Sequence, residues 1–456
     1  MATQASSVPA VVDVGRILDE GRWSGYQRWV VALTALSVVI DGVDSQLLGI
    51  AAPSIMRDWN VTRAQFAPLL AAGFIGMMVG GAIAGIVGDR WGRRIALIGS
   101  VLLFGVMTVA ASMVNGLVAL GLLRFFIGVG LQGASPNAAA LVSEYVPLRN
   151  RAFAITATIV CIPLGAMTAG LIAIPVLPAL GWRVLFAIGG VVSIAVAVML
   201  MKFLPESPRY LGRHPDRWPE LVRVLDRVGY RASAGAKFVD QTEVTINRAP
   251  LTAIFQSPAD TVALWSAFFF CLLAVYSGFN WIPTMLTDAG LAAIANTGIT
   301  AYNLGGVIGA VAGGLAIARF GSRPAMLGMC GGAVIGALVM RVTTFGTTSN
   351  TLQIIALLAV IGGFINAAQV TMYALGAHIY PSAVRATGVG TATSVGRFGA
   401  ILSTYAGAWA LDLGGSRSFF TLVAGAMLAV FVSLVLIRRH IPGSIRRTAG
   451  RASVAG

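Results

Sequence analysis

The chain has 456 residues, 57% of them hydrophobic and 11% charged, with a net charge of +15 and a mean hydropathy of +0.82. Soluble domains carry about 25% charged residues, so this chain lacks the polar surface to cover a water-soluble particle. Its basic residues cluster between apolar runs and form no stripe interleaved with aromatics, which sets nucleic acid aside as a partner and leaves an integral membrane protein.

Residues 1–28 are polar and hold no apolar core ahead of a cleavage site, so they are read as a cytoplasmic N-terminal segment rather than a signal peptide. Twelve apolar runs follow: 29–52, 66–87, 95–114, 117–141, 152–176, 183–204, 261–286, 296–318, 325–343, 352–377, 386–411 and 418–437. Each is close to the length of about 20 residues that a helix needs to cross a bilayer. Lipid offers the backbone no hydrogen-bonding partners, so these runs must be helices. The expected fold is an all-α membrane protein with twelve transmembrane helices in two six-helix bundles, 29–204 and 261–437. A polar central loop, 205–260, separates the bundles, and a basic tail, 438–456, ends the chain. Within the loop, "RWPELVRVLDRVG" places Leu221, Val222, Leu225 and Val228 on one helical face, with Arg223, Arg227 and Glu220 on another. This is either a short surface helix or a plain connector.

Lysine and arginine set the expected orientation. Arg57, Arg63, Arg183, Arg341 and Arg417 fall in odd-numbered loops, and Arg124 and Arg397 fall inside spans. The other basic residues lie in the N-terminal segment, the even-numbered loops and the tail. Both termini are therefore expected in the cytoplasm, with the lipid bilayer as the surrounding partner.

The halves repeat. "GIVGDRWGRR", from Gly85, matches "GLAIARFGSR", from Gly314, and each follows the second span of its half. At one constant offset, Gly76, Gly80, Arg90, Gly92 and Arg94 correspond to Gly305, Gly309, Arg319, Gly321 and Arg323. "EYVPLRNRA" at Glu144 likewise resembles "HIYPSAVRA" at His378, which aligns Arg151 with Arg385. Such half-repeats around a midplane site are a common transporter design.

Gly85, Asp89, Arg90, Gly92, Arg93 and Arg94 form a GxxxDRxGRR pattern after span two. With twelve spans and a long central loop, it resembles the major facilitator superfamily over essentially the whole chain. That resemblance implies two bundles that rock to open a central cavity alternately to each side. The pattern's second copy has Ala318 where the first has Asp89, so a charged latch is expected to be stronger in the first half. "DGVDSQ" in span one, "RFFIGVGLQGASPNAAALVSEYVPLRNRA" through span four, "LPESPRYL" after span six and "YPSAVRATGVGTATSVGRFGA" into span eleven resemble the aromatic acid:proton symporter family. This closer resemblance implies import of benzoate- or hydroxybenzoate-like acids across a bacterial inner membrane.

Charge inside a span marks candidate chemistry, because it costs roughly 2.5–3.5 kcal/mol at mid-helix. Asp41 and Asp44 stand at i, i+3 near the middle of span one, with Gly42 between them leaving room for a neighbour. Two close carboxylates in a low dielectric resist ionising together, so the pair is a candidate proton switch. A structural pairing with an intramembrane arginine is the plainer alternative. Arg397, near the middle of span eleven between Gly396 and Gly399, presents a planar fork suited to a carboxylate. It is the foremost candidate for holding an organic anion.

Arg124, in span four, either pairs with Asp44 or attracts the anion, and Gln132 follows on the same helix. Glu144, at that helix's end, is a candidate for proton coupling or for an inner gate near Arg90, Arg149 and Arg151. His378 is its counterpart, as a gate or as a proton relay. Asp89, Arg90, Arg93, Arg94, Arg319 and Arg385 are the remaining charged gate candidates, with Gly85 and Gly92 shaping the loop. Tyr276 and Asn280 of span seven, and Phe364, Asn366 and Tyr373 of span ten, are candidate pocket walls for an aromatic ring.

Other classes find little support. No GxxxxGK[ST] loop is present, and Lys202 and Lys237 are the only lysines, so an ATP-driven pump is not expected. Three histidines without HExxH or GxSxG leave little for an enzyme or a metal site. Cys161, Cys271 and Cys330 are scattered among spans and read as core packing. A monomer without cofactor is expected, with the proton as coupling ion. A symporter of aliphatic or dicarboxylic acids, a drug exporter and a sensor of transporter ancestry are the competing functions.

Overall fold

The computed structural model describes residues 11–231, 236–240, 251–345, 350–380 and 384–443. The chain opens with strand β1, Val11–Asp13, which pairs in parallel with β2, Lys237–Val239, in the central loop. This pair departs from the expected all-α chain, since three-residue strands carry no readable periodicity. Asp13 then caps α1, Val14–Glu20, by accepting from the Arg16 amide at 3.3 Å.

The first half comprises α2, Gly25–Asp58; α3, Arg63–Trp91; α4, Arg93–Ala111; α5, Leu117–Tyr145; α6, Leu148–Ile159; and α7, Cys161–Phe203. Capping boxes start the first two of these. Ser24 and Gln27 bond reciprocally at the head of α2, as Thr62 and Gln65 do at the head of α3. In the loop, α8, Pro208–Gly212, precedes α9, Trp218–Val228. Helix α9 buries Leu221, Val224 and Leu225, so Val224 takes the inward place expected of Val222, which faces out. The second half comprises α10, Pro258–Asp288; α11, Ala295–Phe320; α12, Ser322–Val342; α13, Thr351–Ile379; and α14, Arg385–Leu436.

Ten helical stretches among the described residues are long and apolar enough to cross a membrane. Two far exceed a single crossing: Leu148–Phe203, with 56 residues, and Thr387–Leu436, with 50. Each breaks at glycine, the first at Gly181 (φ 77°) and the second at Gly414–Gly415, where Gly415 has φ 58°. At these glycines each stretch divides into two arms, the first arm of Leu148–Phe203 also containing the α6–α7 junction at Val160.

The repeat seen in sequence recurs in packing. Helix α3 lies against α5 with no room for a side chain at Gly76, where a Cβ would sit 2.0 Å from the Phe125 carbonyl oxygen. Helix α11 meets α13 in the same way, with 1.8 Å from a Cβ on Gly305 to the Ala359 carbonyl oxygen.

The halves touch along α2–α10, α3–α14 and α7–α11. One end of the molecule, here the terminal face, gathers the start of α2, the end of α5 and residues 437–443. Gln27 donates to the Tyr145 carbonyl at 2.6 Å there, and Asp260 accepts from the Arg438 amide at 2.7 Å. At the opposite, distal face, Arg63 of the first half donates to Asp288 (2.5 Å) and Asp412 of the second. Asn296 of α11 also reaches the Ala173 carbonyl of α7 there, at 3.3 Å. Ion pairs at the terminal face, such as Arg93–Glu144, Arg151–Asp19 and Arg439–Asp260, each stay within one half or its adjoining loop. Charge thus ties the halves together at the distal face.

Candidate functional site

Midway along α2, the buried Asp41 accepts from Ser135 Oγ of α5 and, at 3.3 Å, from Ser45 Oγ of its own helix. Asp44, one turn on, accepts from Thr108 Oγ1 of α4 at 2.9 and 2.7 Å through its two oxygens. Each carboxylate of the expected couple also has its own hydroxyl partner on a different helix, Ser135 of α5 for Asp41 and Thr108 of α4 for Asp44. They remain within electrostatic reach of each other. Gly42 between them meets α7, where a Cβ would lie 2.1 Å from the Ile162 carbonyl oxygen.

Arg124 is buried, with its side chain laid along Gly73, and donates from Nη2 to the Ser45 carbonyl at 3.4 Å. Its Nη1 has no partner among the described residues. Asp44 is within its electrostatic reach.

Arg397, half-buried on α14, donates from Nη1 to Tyr276 Oη at 2.9 Å and to Met77 Sδ at 3.4 Å, and from Nη2 to Gln132 Oε1. All three acceptors are neutral, and they come from α10, α3 and α5, so the fork bridges both halves. Asp41 and Tyr373 are within electrostatic reach of the guanidinium. Gln132 and Ser135 share a face of α5 at i, i+3, so the partner of Arg397 and the partner of Asp41 sit side by side. Rings line the same region: Phe74 meets Tyr276 edge to face at 4.6 Å, Tyr276 meets Phe279 at 5.7 Å, and Phe279 meets Tyr302 at 6.0 Å.

Span ten contributes less than its sequence suggested. Tyr373 packs on Phe268 at 5.3 Å, on the Arg397 side. Asn366 turns into its own bundle, where it donates to the Gly362 carbonyl at 2.9 Å and covers Gly306. Phe364 leans outward over Gly332 and is 36% exposed. Asn280 is buried against α2 beside Gly49, and its Nδ2 lacks a partner among the described residues.

The gate candidates gather at the terminal face. Arg93 donates to Asp89, approaches Glu144 at 3.5 Å and reaches Asn137 Oδ1 at 3.5 Å. Glu144 also accepts from Ser207 Oγ, which places it in this cluster rather than beside Asp41. Arg90 and Arg319 are exposed, each over the ring of its next residue, Trp91 and Phe320. Arg94 donates its amide to Glu206 Oε1 at 3.0 Å and its guanidinium to the Met201 carbonyl. Gly92 takes φ 106°, and a Cβ there would sit 2.1 Å from Glu206 Oε2. Gly85 stands in open space. His378 is exposed at the end of α13, and the Arg385 side chain lies outside the described residues.

Sequence reasoning passed over Glu206, which caps α4, together with Thr108, Ser135 and Gln46. Burial pushes the Glu206 carboxyl above the usual carboxylate range, against the amides of Arg94 and Ser207 that favour its charge. Glu206 and Gln46 were visible in "LPESPRYL" and "DGVDSQ". Thr108 and Ser135 are lone hydroxyls in apolar runs, which give no signal. Among the described residues, no cluster of three His, Cys, Asp or Glu could hold a metal.

The model of the Major Facilitator Superfamily matches residues 34–347 and 292–455. The chain belongs to that superfamily. Within it, the chain falls among the aromatic acid transporters. It is 35% identical over 421 residues to the 4-hydroxybenzoate transporter PcaK of Pseudomonas aeruginosa, covering 90% of this chain and 92% of that one. It is 31% identical over 445 residues to the gallate transporter of Pseudomonas putida, covering 97% and 98%. Its fold matches the inward-open xylose transporter XylE from E. coli, with a TM-score of 0.72 at 16% identity over 91% of this chain and 97% of that one. At the centre of this molecule, away from the Arg63 tie at the distal face, Arg397 is a charged group that bonds to side chains of both halves.

Proposed function

We propose that this protein imports an aromatic carboxylate of the benzoate or hydroxybenzoate type by proton symport. The carrying observation is Arg397, a guanidinium deep between the halves whose hydrogen-bond partners, Gln132, Tyr276 and Met77, are all neutral. Asp41 lies within electrostatic reach of this cation, but none of its hydrogen bonds among the described residues is to an anion, and a carboxylate would bond it directly in bidentate geometry. The names of the relatives, transporters of 4-hydroxybenzoate and gallate, support the aromatic class.

Coupling follows from charge. When Asp41 is ionised, it shares the field of Arg397, and a second anion there is repelled. When Asp41 carries a proton, the substrate carboxylate can take the fork alone. Gln132 and Tyr276 are then displaced, which releases the link between α5 and α14. Arg124 and Asp44 hold the neighbouring pair of opposite charges, and the cluster of Asp89, Arg93 and Glu144 serves the gate.

In this proposal, Gly181 and Gly414–Gly415 are turns, so the ten stretches make twelve crossings with both termini in the cytoplasm of a bacterial inner membrane. The distribution of lysine and arginine supports that orientation. The distal seal then faces the periplasm and the structure is inward-facing. The unit is a monomer, since one chain supplies both halves of the site, and the proton is the coupling ion without a cofactor. The test is uptake of labelled 4-hydroxybenzoate into proteoliposomes under an imposed pH gradient. Uphill accumulation that an uncoupler abolishes is expected. Uptake indifferent to the uncoupler would refute symport.

A further inference from the structure

At the distal face, two carboxylates of the second half share one cation of the first. Arg63 of α3 donates from Nη2 to Asp288 at 2.5 Å and from Nη1 to Asp412. Asp288 is the last residue of α10, and Asp412 stands two residues before the helix break at Gly414. At the carboxyl end of a helix the peptide dipoles disfavour a negative charge. Each acid therefore depends on a nearby cation, and repulsion between the two adds to that need. When the halves part at this face, Arg63 leaves with α3 and both acids stay behind.

A second cation stands beside them. Arg417 lies in the same half as the two acids, at the start of the second arm of α14, just past the turn at Gly414–Gly415. It lines a cleft of about 370 Å³ together with Arg63, Asp288, Met285, Leu411 and Gly415. Arg417 is exposed, and among the described residues its guanidinium has no hydrogen-bond or ion-pair partner. Arg341, at the end of α12, does not line this cleft. An arginine side chain is long and rich in rotamers, so Arg417 can swing across the cleft once Arg63 has withdrawn. It moves with the acids, whereas Arg63 moves away from them.

We propose that Arg417 is the replacement cation: as the distal face opens, Asp288 and Asp412 pass from Arg63 of the first half to Arg417 of their own half. Opening then exchanges one ionic partner for another and leaves no pair of bare carboxylates at the helix ends. This rests on the reading above that the distal seal opens during transport, and it adds the residue that sets how far the open state is populated. An exposed ion pair shifts an equilibrium by about two- to fivefold, which is the size of effect to look for.

The test reads the opening of this face directly. Spin labels go on Met113→Cys and Ala292→Cys, exposed positions in the two halves at the distal end, in the full chain in lipid nanodiscs. Cys161, which is not buried, is changed to alanine, and the buried Cys271 and Cys330 stay. Pulsed electron resonance then gives the populations of short and long distances between the labels. Arg417→Gln should lower the long-distance population about two- to fivefold, and Arg63→Gln should raise it. With Asp288→Asn and Asp412→Asn already present, Arg417→Gln should change nothing further, because the carboxylates it serves are gone. An unchanged population in Arg417→Gln overturns the inference alone, and so does an effect that survives loss of both acids. A single short distance in every variant, Arg63→Gln included, overturns the inference together with the reading that this face opens.

Discussion

At the terminal face, Gly92 in the first half and Gly321 in the second turn the chain the same way, with φ of 106° and 90°, to start α4 and α12. The chain segment that follows the last helix of each half then docks against the turn. In the first half the docking group is the Glu206 carboxylate, accepting from the amides of Arg94 (3.0 Å) and Ser207 (2.9 Å). In the second half it is a neutral set: the Ile441 carbonyl accepts from the Ser322 amide at 2.9 Å, and Ser322 Oγ accepts from the Ile441 amide at 2.8 Å and meets His440 Nδ1 at 3.1 Å. Ala318 stands where the first half has Asp89, so the same asymmetry recurs one turn earlier. The repeated backbone is thus independent of its charges. Acids concentrate in the first half, at Asp41, Asp44, Glu144 and Glu206, and the second half answers with one central cation, Arg397.

The sharpest way to break this division is to remove the cation. Arg397→Ala should abolish uptake and substrate binding, a loss of about 100-fold or more, since charge-assisted bidentate contacts are the strong ones. Arg397→Lys should bind weakly, because a point charge lacks the fork. Retained binding in the alanine variant, read by thermal stabilisation with 4-hydroxybenzoate, would remove the basis of the division.

On the acid side, Asp41→Asn should lower gradient-driven accumulation about tenfold or more while substrate exchange between equal pools continues, since binding no longer requires a proton. Asp44→Asn should have a smaller effect, because Thr108 can still bond the amide that replaces the carboxylate. Equal accumulation by both variants and the unaltered protein in proteoliposomes would contradict this ranking.

Stability separates the two corners. Gly92→Ala forces a Cβ into both a left-handed backbone position and the Glu206 carboxylate, and should destabilise by about 1–3 kcal/mol. Gly321→Ala carries the same backbone cost but its Cβ meets the Gly443 amide and the Ile441 carbonyl instead of a carboxylate, so it should destabilise less than Gly92→Ala.

The smallest expected effect comes from Glu206→Gln, which keeps an acceptor for the two amides and should cost about 1 kcal/mol or less. It should also remove a pH dependence. The Glu206 carboxyl holds its proton more tightly folded than unfolded. Its contribution is therefore complete below the ordinary value of 4.5 and is lost as pH rises through the raised one. Tm of the unaltered protein should fall over that window relative to the variant; parallel Tm curves would refute the assignment.

Much of this was legible before the structure. Apolar runs gave the helices, and the spacing of Gly76 and Gly80 with Gly305 and Gly309 gave the repeat, because both are properties of one helix at a time. Asp41, Asp44 and Arg397 stood out because a charge in lipid needs a reason. Rotation did not show. Helix α13 is apolar all round, so nothing in its sequence said that Asn366 turns into its own bundle while Phe364 leans away from the centre. Nor did i, i+3 spacing reveal that Asp41 and Asp44 take hydroxyl donors from different helices, Ser135 of α5 and Thr108 of α4. The β1–β2 pair joins segments distant in the chain and too short to declare themselves.

The distal tie has a consequence for the surroundings of the protein. Arg63 is shared by Asp288 and Asp412, whose side chains are 42% and 49% exposed, so this lid is held by charge in contact with water. Dissolved ions weaken such attractions, with a screening length of about 8 Å at physiological strength and about 3 Å at 1 M. A brackish medium therefore loosens the lid and a dilute one tightens it. On the orientation proposed above, the salinity outside the cell then sets how firmly the two halves stay joined at that face.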